Sequence, residues 1–146
     1  MACEICEEIW VPKNLHVDYG LDGVEIISNA SGSHHELRKL NDRLELVKNA
    51  SKRNGGVYLY SNLKGCDGGR VLYDGGAMVC LNGRITHQLH QFSLPEVEVC
   101  LGAVDLDIVR RYRTAMNSRA MQSAKQIKFP RVVADIDICR LPLLEC

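Results

Sequence analysis

Between Gly23 and Tyr60 the chain reads as strand, helix and strand, and this pattern restricts the fold more than any other. Gly23 to Ser28 is mostly apolar and β-branched and lacks the alternation of a half-exposed strand, which predicts a buried central strand. Ser33-x-x-Glu36 then matches a capping box and predicts the start of a helix. Leu37, Leu40, Leu44 and Val47 recur at three- and four-residue spacing on one face, and Arg38, Lys39, Asp42 and Arg43 are assigned to the opposite, solvated face. Asn54-Gly55-Gly56 stops the helix, and Val57 to Tyr60 is the next strand. Strand, helix, strand implies a parallel crossover.

The second half is different in character. Ala77 to Leu81 and Arg84 to Leu89 flank Asn82-Gly83, whose residue types suit the two positive φ angles of a type I′ hairpin turn. Val97 to Val104 reads as a further strand. Leu106 to about Met116 reads as a short charged helix with Ile108, Val109 and Tyr112 on one side, and Val132 to Ile138 as an edge strand after Pro130. The expected class is α/β (α+β).

A chain of 146 residues is one domain at most. Its 18 basic and 18 acidic side chains cancel, and aromatic residues make up only 5%, so neither a polyanion nor a base-stacking partner is expected. No apolar run reaches the length of a membrane span, and the first residues have no secretory pattern, which points to the cytoplasm. Seven cysteines is an odd number and argues against a complete disulfide framework. Cys80, Cys100 and Cys139 sit in apolar runs and read as small buried hydrophobes.

The chemistry-bearing candidates lie near the start. Cys6, within Glu4-Ile-Cys-Glu-Glu-Ile-Trp10, is either a nucleophile at a strand end or a small structural cysteine. Its neighbours Glu4, Glu7 and Glu8 disfavour a thiolate by charge alone. Cys3-x-x-Cys6 is at most half a zinc or redox motif, because no second pair follows at short spacing, and no metal is expected. Lys64-Gly-Cys-Asp-Gly-Gly69 lacks the Gly-Lys-Ser/Thr ending of a phosphate loop and reads as a turn-rich loop. His34-His35 reads as a pocket-rim or helix-entry feature.

These segments, in order, resemble one family. Glu4 to Trp10, Asn29-Ala-Ser-Gly-Ser-His-His35, Asn54-Gly-Gly-Val-Tyr-Leu59, Lys64 to Gly68, Tyr73-Asp-Gly75, Gln91-Phe-Ser-Leu94, Val109-Arg-Arg-Tyr-Arg113 and Phe129-Pro-Arg-Val132 are similar to the glutaminase domain of glutamine-dependent NAD synthetases, a branch of the nitrilase (carbon-nitrogen hydrolase) superfamily. The likeness runs from about Glu4 to Ile138. It implies a partial nitrilase-type αββα sandwich and glutamine hydrolysis to glutamate and ammonia through a Cys6 thioester. It also implies an oxyanion hole that includes the Glu7 backbone N–H and substrate contacts from Glu7, Ser33 and either Arg38 or Lys39. Ser33 therefore has two competing readings, helix cap and glutamine contact.

The family's catalytic Glu and Lys lie well upstream of its Cys, where this sequence has only Met1 to Ile5. Residues 1–146 thus read as the second half of a glutaminase domain, without the ATP-dependent synthetase domain. ATP and deamido-NAD would be used by that absent domain, and no cofactor is expected in this chain. The implied partners are glutamine, the synthetase domain and further copies in a homo-oligomer. The isolated chain is not expected to turn over glutamine. The rival readings are another nitrilase-superfamily amidase, or a catalytically dead fragment acting by association.

Overall fold

The computed structural model describes residues 1–134. A five-stranded sheet has the order β1-β2-β3-β6-β7, formed by β1 (Ala2–Ile5), β2 (Ile26–Ser31), β3 (Val57–Asn62), β6 (Ala77–Leu81) and β7 (Arg84–Gln88). The first three strands are parallel and the last two antiparallel. Between β3 and β6 a separate hairpin projects, made of β4 (Lys64–Asp67) and β5 (Val71–Asp74). The helices are α1 (Leu15–Leu21), α2 (Lys39–Asn54), α3 (Leu106–Thr114) and α4 (Asn117–Ser123), with a one-turn 3-10 helix at Cys6–Ile9. No helix among the described residues is long and apolar enough to cross a membrane.

The expected parallel crossover is present, with shifted bounds. The central strand begins at Ile26 and runs through Asn29-Ala-Ser31, because β3 offers it a six-residue ladder from Val57 to Asn62. Helix α2 begins at Lys39, after Arg38 at a left-handed φ of 70°, and no side chain caps it. Ser33 is therefore not its cap, and Leu37 lies outside the helix, 91% exposed. The helix ends as expected at Gly55 (φ 56°), where a Cβ would lie 2.9 Å from the Tyr112 ring. Asn82 and Gly83, at φ 49° and 89°, form the expected hairpin turn.

Val97 to Val104 does not form a strand. A strand needs a ladder partner, and this segment instead lays Cys100 and Val104 against Val57, Val79 and Val109 on one sheet face. Asn117–Ser123 is helical and was not anticipated. Val132 to Ala134 has no regular structure, and the rest of the expected edge strand lies outside the described residues, as does Cys139.

One sheet face is closed by α1 and α2 over Ile9, Ile27, Val47, Ala50, Tyr58, Tyr60, Met78 and Cys80. The other carries the smaller cluster around Val109 and is only partly covered. Two segments late in the chain, residues 109–113 and 129–132, pin the end of the sheet where β2 and β3 begin. Arg113 donates to the carbonyls of Gly55, Gly23 and Val24, and Asp22 Oδ2 accepts from the Phe129 N–H (3.0 Å) and from Arg131 (2.5 Å). The opposite end, where the parallel strands terminate, gathers the candidate chemistry.

Candidate active site

Cys6 stands where β1 ends. Its φ of 44° lies in the left-handed region that residues with a Cβ rarely adopt, and the chain then passes directly into the one-turn helix. A strand, a strained residue and a helical turn in succession lift a side chain clear of a sheet edge, as a nucleophile elbow does. The turn is held by its neighbours. Glu8 Oε2 accepts from the Ile5 N–H at 2.6 Å, and the Trp10 N–H donates to Glu7 O at 2.8 Å. Asn14 Nδ2 donates to the carbonyls of Glu8, Ile9 and Val11. Cys6 is half-buried with a free thiol, and Glu7 is exposed.

Register brings the strand ends together. Ile5 pairs with Ala30, Ala30 with Ser61 and Ser31 with Asn62, so Cys6, Ser31 and Asn62 share one edge. Below that edge runs a ladder of buried polar groups. Glu4 is 1% exposed and accepts from His16 N–H (2.7 Å) and Tyr58 Oη–H (2.6 Å), with His16 Nδ1 at 3.0 Å. Burial pushes the Glu4 carboxyl up, but the hydrogen bonds from His16 and Tyr58 outweigh it and leave it below its ordinary range. Two residues before Cys6, Glu4 ties β1 to the first turn of α1. Its charge is spent there.

Glu4→Gln is expected to cost roughly 1–3 kcal/mol at pH 7, because a charged acceptor is lost. A carboxyl depressed in the folded state contributes stability above its unfolded value, about 4.3, and that contribution is lost as pH falls toward its folded value. The gap between native and Glu4→Gln urea midpoints should therefore shrink from pH 6 to pH 3. A constant gap would refute the ionised-acceptor role.

The Tyr60 hydroxyl and Asn29 Nδ2 are buried at the same edge without hydrogen-bond partners among the described residues, and the neighbouring Ser31 hydroxyl donates to Asn29 Oδ1 at 2.8 Å. Burial pushes the Tyr60 hydroxyl up, and nearby Cys6 and Asp74 add to this against Ser31 and Arg43.

Ser33 is buried in the loop between β2 and α2. Its N–H donates to Asn62 Oδ1 (2.8 Å), its carbonyl accepts from Asn62 Nδ2 and Arg43 Nη2 (both 3.0 Å), and its Oγ accepts from Arg43 Nε at 3.3 Å. Arg43, assigned from sequence to the solvated face, is 2% exposed and pairs through Nη1 with the fully buried Asp74 at 2.7 Å. Asp74 also takes His35 Nδ1 (3.0 Å), Asn62 Nδ2 (3.0 Å) and Gln91 Nε2 (2.5 Å). Burial pushes Asp74 up, yet the bonds from His35 and Arg43 prevail and hold it below the usual carboxylate range. His34-His35, Tyr73-Asp74 and Gln91-Phe92, from three separate segments, thus converge on one loop. Lys64–Asp67, read from sequence as part of a turn-rich loop, is instead strand β4, held by its antiparallel ladder with β5, and the turn is confined to residues 68–70.

Of the two candidate basic contacts, Lys39 reaches toward the Cys6 turn. Its Nζ sits 5.7 Å from the Trp10 ring centroid, within cation–π range, and 3.1 Å from Glu36 Oε1. Arg38 is exposed. The Cys3 thiol accepts from the Ser28 hydroxyl (3.1 Å), and no group of three His, Cys, Asp or Glu is placed to hold a metal among the described residues. Two concavities, of about 580 Å³ beside α2 and β7 and about 300 Å³ on the partly covered sheet face, do not include Cys6.

The carbon-nitrogen hydrolase profile matches residues 1–114, and the chain belongs to that family. Within it, the chain is 54% identical over 139 residues to the glutamine-dependent NAD(+) synthetase of Saccharomyces cerevisiae, covering 94% of this chain and 20% of that protein. It is 52% identical over 145 residues to the Macaca fascicularis glutamine-dependent NAD(+) synthetase, covering 99% of this chain and 20% of that protein. It thus spans about a fifth of the length of these curated relatives. The crystal structure of a glutamine-dependent NAD(+) synthetase from Cytophaga hutchinsonii superposes with a TM-score of 0.58 at 29% identity, over 68% of this chain and 16% of that one.

Sequence reading missed Arg43, Asn62, Asp74 and the Glu4–His16–Tyr58 group. One signal was available. Arg43 falls three residues after Leu40 and four before Val47, squarely on the apolar stripe, so the helix period itself marks it as inward-facing.

Proposed function

We propose that this chain carries the nucleophile of a glutaminase that supplies ammonia for NAD formation. Cys6 attacks the side-chain amide carbon of glutamine, ammonia leaves, and water resolves the thioester to glutamate. The observation that carries this reading is the positive-φ Cys6 at a strand-to-helix turn, level with the Ser33 loop. The Glu7 N–H follows at the start of the turn, where leading amides have no intrahelical partner, and is suited to an oxyanion. Glu7's exposed carboxylate is suited to a substrate ammonium. Ser33 and Lys39 are suited to the substrate carboxylate, with Lys39 favoured over Arg38 by its position over Trp10. Ammonia would pass to a synthetase portion that uses ATP to amidate deamido-NAD, so neither ligand is assigned to these residues.

The test is a chimaera of the Saccharomyces cerevisiae relative in which this chain replaces the matching segment. It should release ammonia from glutamine and leave aliphatic amides and nitriles intact; the reverse preference would favour a general amidase. Ser33→Ala in the chimaera should raise the KM for glutamine roughly 10-fold through loss of a hydrogen bond to a charged group. An unchanged KM would return Ser33 to a purely structural role.

A further inference from the structure

The loop that carries Ser33 has little apolar anchorage. Gly32, His34, Glu36, Leu37 and Arg38 are all exposed, so polar bonds must hold it. Arg43 supplies three of them, beside two from Asn62 and those of the His35 N–H to Leu72 O and His35 Nδ1 to Asp74. Its Nη1 is locked on Asp74, and its remaining donors go to Ser33 Oγ, Ser33 O and His34 O (3.1 Å). Because the Ser33 oxygen accepts from Nε, the Ser33 hydroxyl hydrogen must point elsewhere, and it has no acceptor among the described residues. A buried hydroxyl whose oxygen accepts from a guanidinium keeps its O–H to donate, which suits an anionic oxygen.

We propose that Arg43, locked by Asp74, is a positioning residue for substrate recognition at the Cys6 edge: it fixes the Ser33 loop and orients the Ser33 hydroxyl as a donor to the carboxylate of an α-amino acid. This rests on the glutaminase reading. Arg43 itself touches no substrate. Lysine at this position keeps the charge paired with Asp74 but cannot reproduce the planar fork that grips Ser33.

The experiment is a double-mutant cycle in the chimaera, with Arg43→Lys, Ser33→Ala and their combination, and Cys6→Ala as control. Arg43→Lys should raise the KM for glutamine roughly 10-fold with kcat within about 2-fold, the signature of lost substrate binding. In the Ser33→Ala background the same change should raise KM less than about 2-fold, since residues acting through one contact are not additive. An unchanged KM, or an equal rise in both backgrounds, overturns the proposal. Glutamine hydrolysis that survives Cys6→Ala overturns the glutaminase reading and the proposal with it. Hydrogen exchange on the chain itself tests the loop without catalysis. Arg43→Lys should speed exchange of the Ser33 and His35 amides roughly 10-fold while β3 amides keep their protection, and unchanged exchange at Ser33 and His35 also overturns the proposal.

Discussion

Cys6→Ala in the chimaera is expected to lower glutamine hydrolysis by about 10³-fold or more, because removing the nucleophile of a cooperating set costs nearly all of its rate. The strained φ at Cys6 supports this. A left-handed residue with a Cβ costs on the order of 1–3 kcal/mol, and such strain clusters where a side chain must be presented in one direction. The other cysteines serve as controls. Cys66 is exposed on the projecting hairpin, whereas Cys80 is fully buried and burial pushes its thiol up. Cys66→Ala should leave the rate within a few-fold, and Cys80→Ala should affect stability before chemistry. Ammonia release from glutamine decides the matter. If Cys6→Ala retains substantial hydrolysis, or Cys66→Ala abolishes it, Cys6 is not the nucleophile.

The second large effect concerns folding. Asp74→Ala should destabilise the chain by about 3–5 kcal/mol, the usual cost of leaving one partner of a buried ion pair uncompensated. Arg43 would keep its charge in a site it cannot leave, and Asn62, His35 and Gln91 would lose a common acceptor. The effect depends on pH. Asp74 is held below its ordinary range in the folded state, so its contribution is complete above about pH 4, the unfolded value, and fades as pH falls toward its folded value. Urea melts at pH 7 and pH 3 should show a large difference between native and Asp74→Ala chains that narrows in acid. A difference under about 1 kcal/mol at pH 7 would mean that Arg43 finds another way to solvate its charge.

Features legible in the sequence are those with a local cause. Asn82-Gly83 and Gly55 dictate their own backbone angles, so the hairpin and the end of α2 could be read directly. The spacing of Leu40, Leu44 and Val47 reports a helix because the period is intrinsic to it. Cys6 stands out as a candidate nucleophile from its immediate neighbours and the ordered likeness around it. By contrast, Ser33-x-x-Glu36 has the letters of a capping box without the fold of one, because a cap forms only where the helix begins, and this helix begins at Lys39.

Val97 to Val104 has strand-forming residues but no ladder partner, and β structure requires one. Arg43 reads as a surface charge until Asp74, 31 residues away, meets it in the interior. Glu4 beside Cys6 likewise reads as a charge opposing a thiolate, yet its carboxylate is bound by Tyr58, 54 residues on. Sequence alone determined the period of the helix, the turns and the candidate nucleophile. Only the tertiary structure decided which charges are buried, because burial of a charge depends on a partner brought close by the whole fold.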